Sequence, residues 1–127
     1  MPNTQSITAL VVDDDNVVRR LVTAALERSG FTVYGSRSGD RGLDCFLEHR
    51  DEIDLVLTDV VMPHMSGPEM VEHILQHRPA MRVLFMTGYN ASHVLPENQA
   101  RRFAVLGKPF STSALVKAVH DCLGDCR

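Results

Sequence analysis

No run of apolar residues in this sequence approaches the roughly 18 that a membrane-crossing helix needs. The opening MPNTQSIT has neither a basic start nor an apolar signal core. Both absences point to a cytoplasmic protein. Cysteines are few: Cys45, Cys122 and Cys126 are odd in number and lack paired metal-ligand spacing, so they read as reduced thiols in a reducing compartment. Cys122 and Cys126 are four apart, but Gly124 between them ends the helix they would share. A basic excess is missing as well. Net charge is −3, and the pairs Arg19-Arg20 and Arg101-Arg102 are too small to mark a nucleic-acid surface, which makes them a solvated face and disfavours direct DNA binding. Repeats, low-complexity tracts and interdomain linkers are absent. What is present, 127 residues at 44% hydrophobic and 23% charged, suits one globular domain over 1–127 with a core over about 7–123, and leaves no room for a second.

Apolar strands and helical patterns alternate along the chain. Ile7 to Val12 is β-branched, apolar and short, and reads as a buried strand. Val17, Val18, Leu21, Val22, Ala25 and Leu26 then recur at helical spacing, with Gly30 as the stop. A strand over Thr32 to Tyr34 precedes a helix from Gly39 to His49, capped by Ser38. Leu55 to Thr58 is the third strand. Ser66 and Glu69 have capping-box spacing, with Pro68 in the first turn of a helix that runs to about His77. Arg82 to Thr87 and Phe103 to Leu106 are the fourth and fifth strands. Between them Pro96 delays any helix, so that element is expected to be short or mobile. A final helix, capped near Ser111, buries Leu115, Val116 and Val119. Five apolar strands alternating with helices predict an α/β, doubly wound parallel sheet covered on both faces. Ligands of such sheets collect outside the carboxyl ends of the strands.

Four strands end there in polar residues: Asp13 and Asp14 after the first, Asp59 after the third, Thr87 after the fourth and Lys108 after the fifth. Each has an ordinary explanation. Asp15 beside Asn16 caps the first helix, Thr87 alone suits a turn, and Asp59 alone suits a first solvated position. Lys108 is harder to dismiss, being one of two lysines against eleven arginines. Together the set has one chemical meaning. Three carboxylates at one edge repel each other, and a hard divalent cation such as Mg²⁺ relieves that repulsion through oxygen ligands alone. A cation beside Asp59 leaves room for a phosphoryl group shared with a hydroxyl, Thr87, and an ammonium, Lys108. Asp59 then reads as a carboxylate nucleophile that forms an acyl phosphate.

The motifs VVDDD (11–15), LVLTDVVMPHMSG (55–67), MTG (86–88) and GKPF (107–110) occur in order within one βα-alternating domain. In this the chain resembles the receiver domains of two-component response regulators over nearly its whole length. The resemblance implies a flavodoxin-like strand order, 2-1-3-4-5, and Asp59 as the acceptor of phosphate from a histidine kinase or histidine phosphotransfer domain. It implies Mg²⁺ held by Asp14 and Asp59, by Asp13 through a water, and by the backbone carbonyl of Val61. Thr87 matches the hydroxyl that moves toward the phosphoryl group and Lys108 the ammonium that pairs with it, with a cis bond before Pro109. Control of a downstream protein or an attached domain follows from the same resemblance. FMTGY and VLGKPF are similar to the receivers of hybrid histidine kinases. After Leu123 only GDCR remains, with no output domain expected in the chain.

Some positions depart from the pattern. Many such domains carry an aromatic three residues before the lysine, where this chain has Val105, so output is expected to pass through backbone shifts over Gly88 to Pro96. Val61 and Tyr89 flank the acceptor with apolar bulk, which predicts slower loss of phosphate than in a Val61→Asn, Tyr89→Glu variant. His73 and His77 are four apart without a third ligand and read as an exposed helical face; His64 is left unassigned. Two rivals remain. An aspartyl-nucleophile phosphohydrolase needs a second aspartate two after the first, where Val61 stands; a docking module that is never phosphorylated would not need all five site residues.

Overall fold

The computed structural model describes residues 7–88 and 94–124. Its elements are β1 (Thr8–Val12), α1 (Asn16–Arg28), β2 (Thr32–Ser36), α2 (Gly39–His49), β3 (Leu55–Asp59), α3 (Gly67–His77), β4 (Arg82–Thr87), α4 (Glu97–Arg102), β5 (Ala104–Gly107) and α5 (Thr112–Gly124). All neighbouring strands are parallel, in the order β2-β1-β3-β4-β5. That is the expected flavodoxin-like topology. Successive strand residues face opposite sides of a sheet, and here the alternation divides the core into two layers. Leu10, Val12, Val56 and Phe85 pack with Phe46 of α2 and Ile74 of α3, whereas Ala9, Val11, Leu57 and Leu84 pack with Leu26 of α1 and Leu115 of α5. Among the described residues no helix is long and apolar enough to cross a membrane.

The helix ends follow local chemistry. Asp15 caps α1 by accepting from the Val17 and Val18 amides, and Gly30 follows its end at φ +93°, where an L side chain is disfavoured. Ser38 caps α2 through the Arg41 amide. Ser66 and Glu69 complete a reciprocal capping box at α3. The Ser111 hydroxyl accepts from the Ala114 amide at the start of α5. Pro96 immediately precedes α4 and contributes no side-chain cap, which leaves a helix of only six residues.

Several boundaries differ from those the pattern predicts. β1 begins at Thr8 rather than Ile7, and β2 continues through Gly35 and Ser36 because both stay in register with Val11 and Val12. β3 gains Asp59, which pairs with Met86. β5 starts at Ala104, not Phe103, because the Phe103 amide closes α4 on the Gln99 carbonyl and its ring packs edge-on against Phe85. Val116 is half-buried rather than buried, since α5 covers the sheet mainly with Leu115 and Val119. His73 and His77 are exposed, as expected. Tyr89 and Cys126 lie outside the described residues, as does 89–93 of the expected output segment.

One contact fixes the carboxyl end of β3. The Gly67 amide donates to the Val60 carbonyl at 2.9 Å, so the start of α3 returns to the strand it follows. A Cβ at Gly67 would lie 2.1 Å from the Asp59 carbonyl oxygen and 3.2 Å from the Thr58 hydroxyl. No side chain fits there without moving the strand end. Gly67→Ala is therefore expected to cost about 2–3 kcal/mol, read as a lowered midpoint in denaturant. Gly107→Ala, whose Cβ would meet nothing within 4 Å, should change stability by no more than about 0.5 kcal/mol. Equal effects in the two variants would contradict this account.

Candidate functional site

The carboxyl edge of the sheet gathers the acidic residues from two strands. Asp13 directly follows β1 and is fully buried; its amide donates to the Ser36 carbonyl and its Oδ1 accepts from the Asp15 amide at 2.9 Å. Asp59 ends β3 with 13% of its side chain exposed, and its Oδ1 accepts from the Val60 amide at 2.8 Å. Asp14 is exposed. One carboxylate oxygen from each of these three residues can be chosen so that all lie within 4.8 Å of one another. Lys108 reaches in from the end of β5: its Nζ is 2.9 Å from Asp13 Oδ2 and 3.4 Å from Asp59 Oδ2. The Lys108 amide donates to the Thr87 carbonyl at 2.7 Å, which ties the ends of β4 and β5 together, and the Lys108-Pro109 bond is cis.

Asp13, Asp14, Asp59 and Lys108 thus meet in one place. Thr87 is buried at the adjacent strand end, but its hydroxyl donates to the Gly88 carbonyl at 3.3 Å rather than to a carboxylate. The Val61 side chain is exposed beyond Asp59. Two contributors escaped the sequence. Arg19 belongs to a pair read as a solvated face, yet it is half-buried and donates to the Asp13 carbonyl at 2.8 Å, steadying that strand end; only Arg20 is exposed. Nothing in the pattern of α1 distinguishes the two. Gly67 stands within a quoted motif, and its spacing from Asp59 was the available signal.

The electrostatics report an excess of negative charge. Burial pushes the Asp59 carboxyl up, the charge of Asp13 pushes it further, and the Lys108 ammonium with the Val60 amide only partly opposes them. For Lys108, burial is the largest single influence and acts to lower the pKa, but the Asp13 and Asp59 carboxylates together outweigh it and raise the group. One ammonium serves a buried and a half-buried carboxylate, with a third beside them. This all-oxygen, acid-rich set fits a hard divalent cation and offers no soft ligand for a thiophilic one.

The sequence pattern described as "Response regulator receiver domain" matches residues 9–120. The chain belongs to the response regulator receiver family. It is 35% identical over 116 residues to the response regulator receiver protein CpdR of Brucella abortus, covering 90% of this chain and 94% of that protein. It is also 35% identical over 120 residues to the sensor kinase CckA of Brucella abortus, of which it spans only 13%. A receiver domain protein from Clostridium thermocellum superposes with a TM-score of 0.85 at 28% identity, covering 94% of this chain and 96% of that one. The protein is accordingly a receiver domain of two-component signalling, with an acidic cluster suited to a metal ion.

The strained charge balance of the receiver has a measurable sign. Because the folded state raises the Asp59 pKa, the folded chain holds that proton more tightly than the unfolded chain does. The associated stability is intact below the unfolded carboxylate pKa and is lost as pH rises through the folded one. Asp59→Asn removes the loss. Without added divalent cation the variant should melt several degrees higher than the wild type at about pH 7, and the gap should close toward about pH 3, where Asp59 of the wild type is protonated in the folded and the unfolded chain alike. A variant no more stable at about pH 7 would contradict the charge assignment.

Proposed function

We propose that Asp59 is the phospho-acceptor of this receiver and takes its phosphoryl group from a phosphohistidine on a histidine kinase or histidine phosphotransfer domain. The observation that carries this is the sharing of one ammonium, Lys108, between Asp13 and Asp59 at a strand edge where a third carboxylate, Asp14, stands within ligand spacing. Asp59 Oδ attacks phosphorus, a P–O bond forms, the P–N bond of the donor breaks, and the imidazole nitrogen leaves with the electron pair. Asp14 and Asp59, with the Val61 carbonyl, would hold Mg²⁺, and Asp13 would act through a bound water. The cation would supply countercharge to the phosphoryl oxygens.

Lys108 already lies 3.4 Å from the attacking carboxylate and pairs with the transferred group when Asp59 ceases to be a free anion. Thr87 has a resting acceptor, the Gly88 carbonyl, that it exchanges for a phosphoryl oxygen by rotating its hydroxyl. These movements at the ends of β4 and β5 convert phosphorylation into a change of surface that a downstream protein or an attached domain reads. The domain works in the cytoplasm, contacts neither nucleic acid nor membrane directly, and catalyses only its own phosphorylation and dephosphorylation. The receiver domain occupies residues 1–127, with its core over about 7–123. The likeness to CpdR favours a stand-alone regulator and the likeness to CckA a hybrid kinase.

The test is labelling by acetyl phosphate or a phosphohistidine donor with Mg²⁺. One phosphoryl group per chain is expected, mapped to Asp59, absent in Asp59→Asn and at least tenfold slower in Lys108→Ala. Label at another residue, or steady multiple turnover of a phosphomonoester, would overturn the reading in favour of a hydrolase.

A further inference from the structure

Gln99 is 1% exposed in the middle of α4, an otherwise charged and solvated six-residue helix. Its Nε2 donates to the Pro68 carbonyl at 3.1 Å, across from α4 to the first turn of α3. Its Oε1 is the one buried side-chain polar atom without a partner among the described residues. Exchanging the two ends of the amide does not remedy this, because the Pro68 carbonyl only accepts and would then face a second oxygen. A buried polar group left half-satisfied is destabilising. In native proteins such a group calls for an explanation.

The position of Pro68 supplies one. Its neighbour Gly67 is the residue clamped on the Asp59 carbonyl, and the Gly67 amide is bonded to Val60. An unbroken path of close contacts therefore runs from the Asp59 backbone through Gly67 and Pro68 to Gln99. The Arg102 guanidinium donates to the Pro79 carbonyl at the far end of α4, and little else holds this helix in place. Its N-cap makes no side-chain bond, its Glu97–Arg101 pair is exposed, and helices this short have little stability of their own. Leu95 and Phe103 anchor its two flanks. The residue three before Lys108 is Val105, which is 40% exposed and has no ring to move.

We propose that Gln99 is the positioning residue that ties α4 to the phospho-acceptor end of β3, so that displacement at Asp59 is delivered to α4 through Gly67 and Pro68. The resting tether stands on contacts present here; its use in signalling rests on the reading of Asp59 as the phospho-acceptor. The hydrogen bond holds α4 in its resting place while the orphaned oxygen keeps that place from being deeply stable. Such an element has two arrangements separated by little free energy, as coupling requires.

The experiment is amide hydrogen exchange on the full chain, wild type against Gln99→Met, with and without beryllium fluoride and Mg²⁺ as a phosphoryl analogue. Methionine keeps the length and burial of the side chain but loses the bond to Pro68, so the effect should be confined to α4 while global stability holds. In the resting state the Ala100 and Phe103 amides, which bond to the Pro96 and Gln99 carbonyls, should exchange roughly 5-fold faster in the variant while β1 and α1 stay unchanged. A residue with only a structural role would instead alter protection across the whole domain. The analogue should change α4 exchange in the wild type and lose most of that effect in the variant. Unchanged α4 protection at rest overturns the tether, and an equal response to the analogue in both proteins overturns the coupling. A wild-type α4 that ignores the analogue also overturns the coupling, and labelling of Asp59 then shows whether phospho-acceptance has failed with it.

Discussion

The ammonium of Lys108 is the interaction on which this site depends, because it alone among the cations of the described residues is bonded to the carboxylates gathered at the sheet edge. It lies 2.9 Å from Asp13 and 3.4 Å from Asp59, so these two acids share a single countercharge while Asp14 adds a third negative group at the rim. Burying unmatched charge is costly. The raised Asp59 carboxyl is the local expression of that cost. An edge built in this way is suited to added positive charge, and the imbalance shows at Asp59.

The rest of the fold keeps the cost in place. Two apolar layers clamp the five strands so that their ends cannot separate to relieve the repulsion. The Ser36 carbonyl and Arg19 hold Asp13, the Val60 amide holds Asp59, and the Thr87 carbonyl holds the Lys108 backbone. Gly67 closes α3 onto the Asp59 carbonyl with no room for a methyl group. The α4–β5 side is looser, with a six-residue helix and a mostly exposed edge strand, and it is the side on which a change of state is cheapest to express.

Much of this was legible in the sequence because its determinants are local. β1 was marked by an apolar, β-branched run and β4 by an apolar one, and Asp15, Ser38, Ser66 and Ser111 cap helices where the pattern placed them. The acid and lysine positions were legible because parallel topology sends every strand end to the same edge, so four short motifs sufficed. What escaped depends on distant partners. Gly35 and Ser36 are poor strand formers held in β2 by pairing with β1. Phe103 looks like a strand residue until its amide is needed to finish α4. Arg19 and Arg20 are equivalent in sequence, and only the direction of α1 turns one toward Asp13. The Thr87 hydroxyl bonds to Gly88 at rest, a choice of rotamer that no spacing reveals. The burial of Gln99 depends on how α4 packs beside α3.

This edge carries uncompensated negative charge suited to a divalent cation, and calorimetric titration with Mg²⁺ reads that property without any phosphoryl donor. One bound ion per chain is expected in the wild type, with affinity falling at least tenfold in both Asp14→Asn and Asp59→Asn. Equal affinity in all three proteins, or no binding to the wild type at millimolar Mg²⁺, would contradict it.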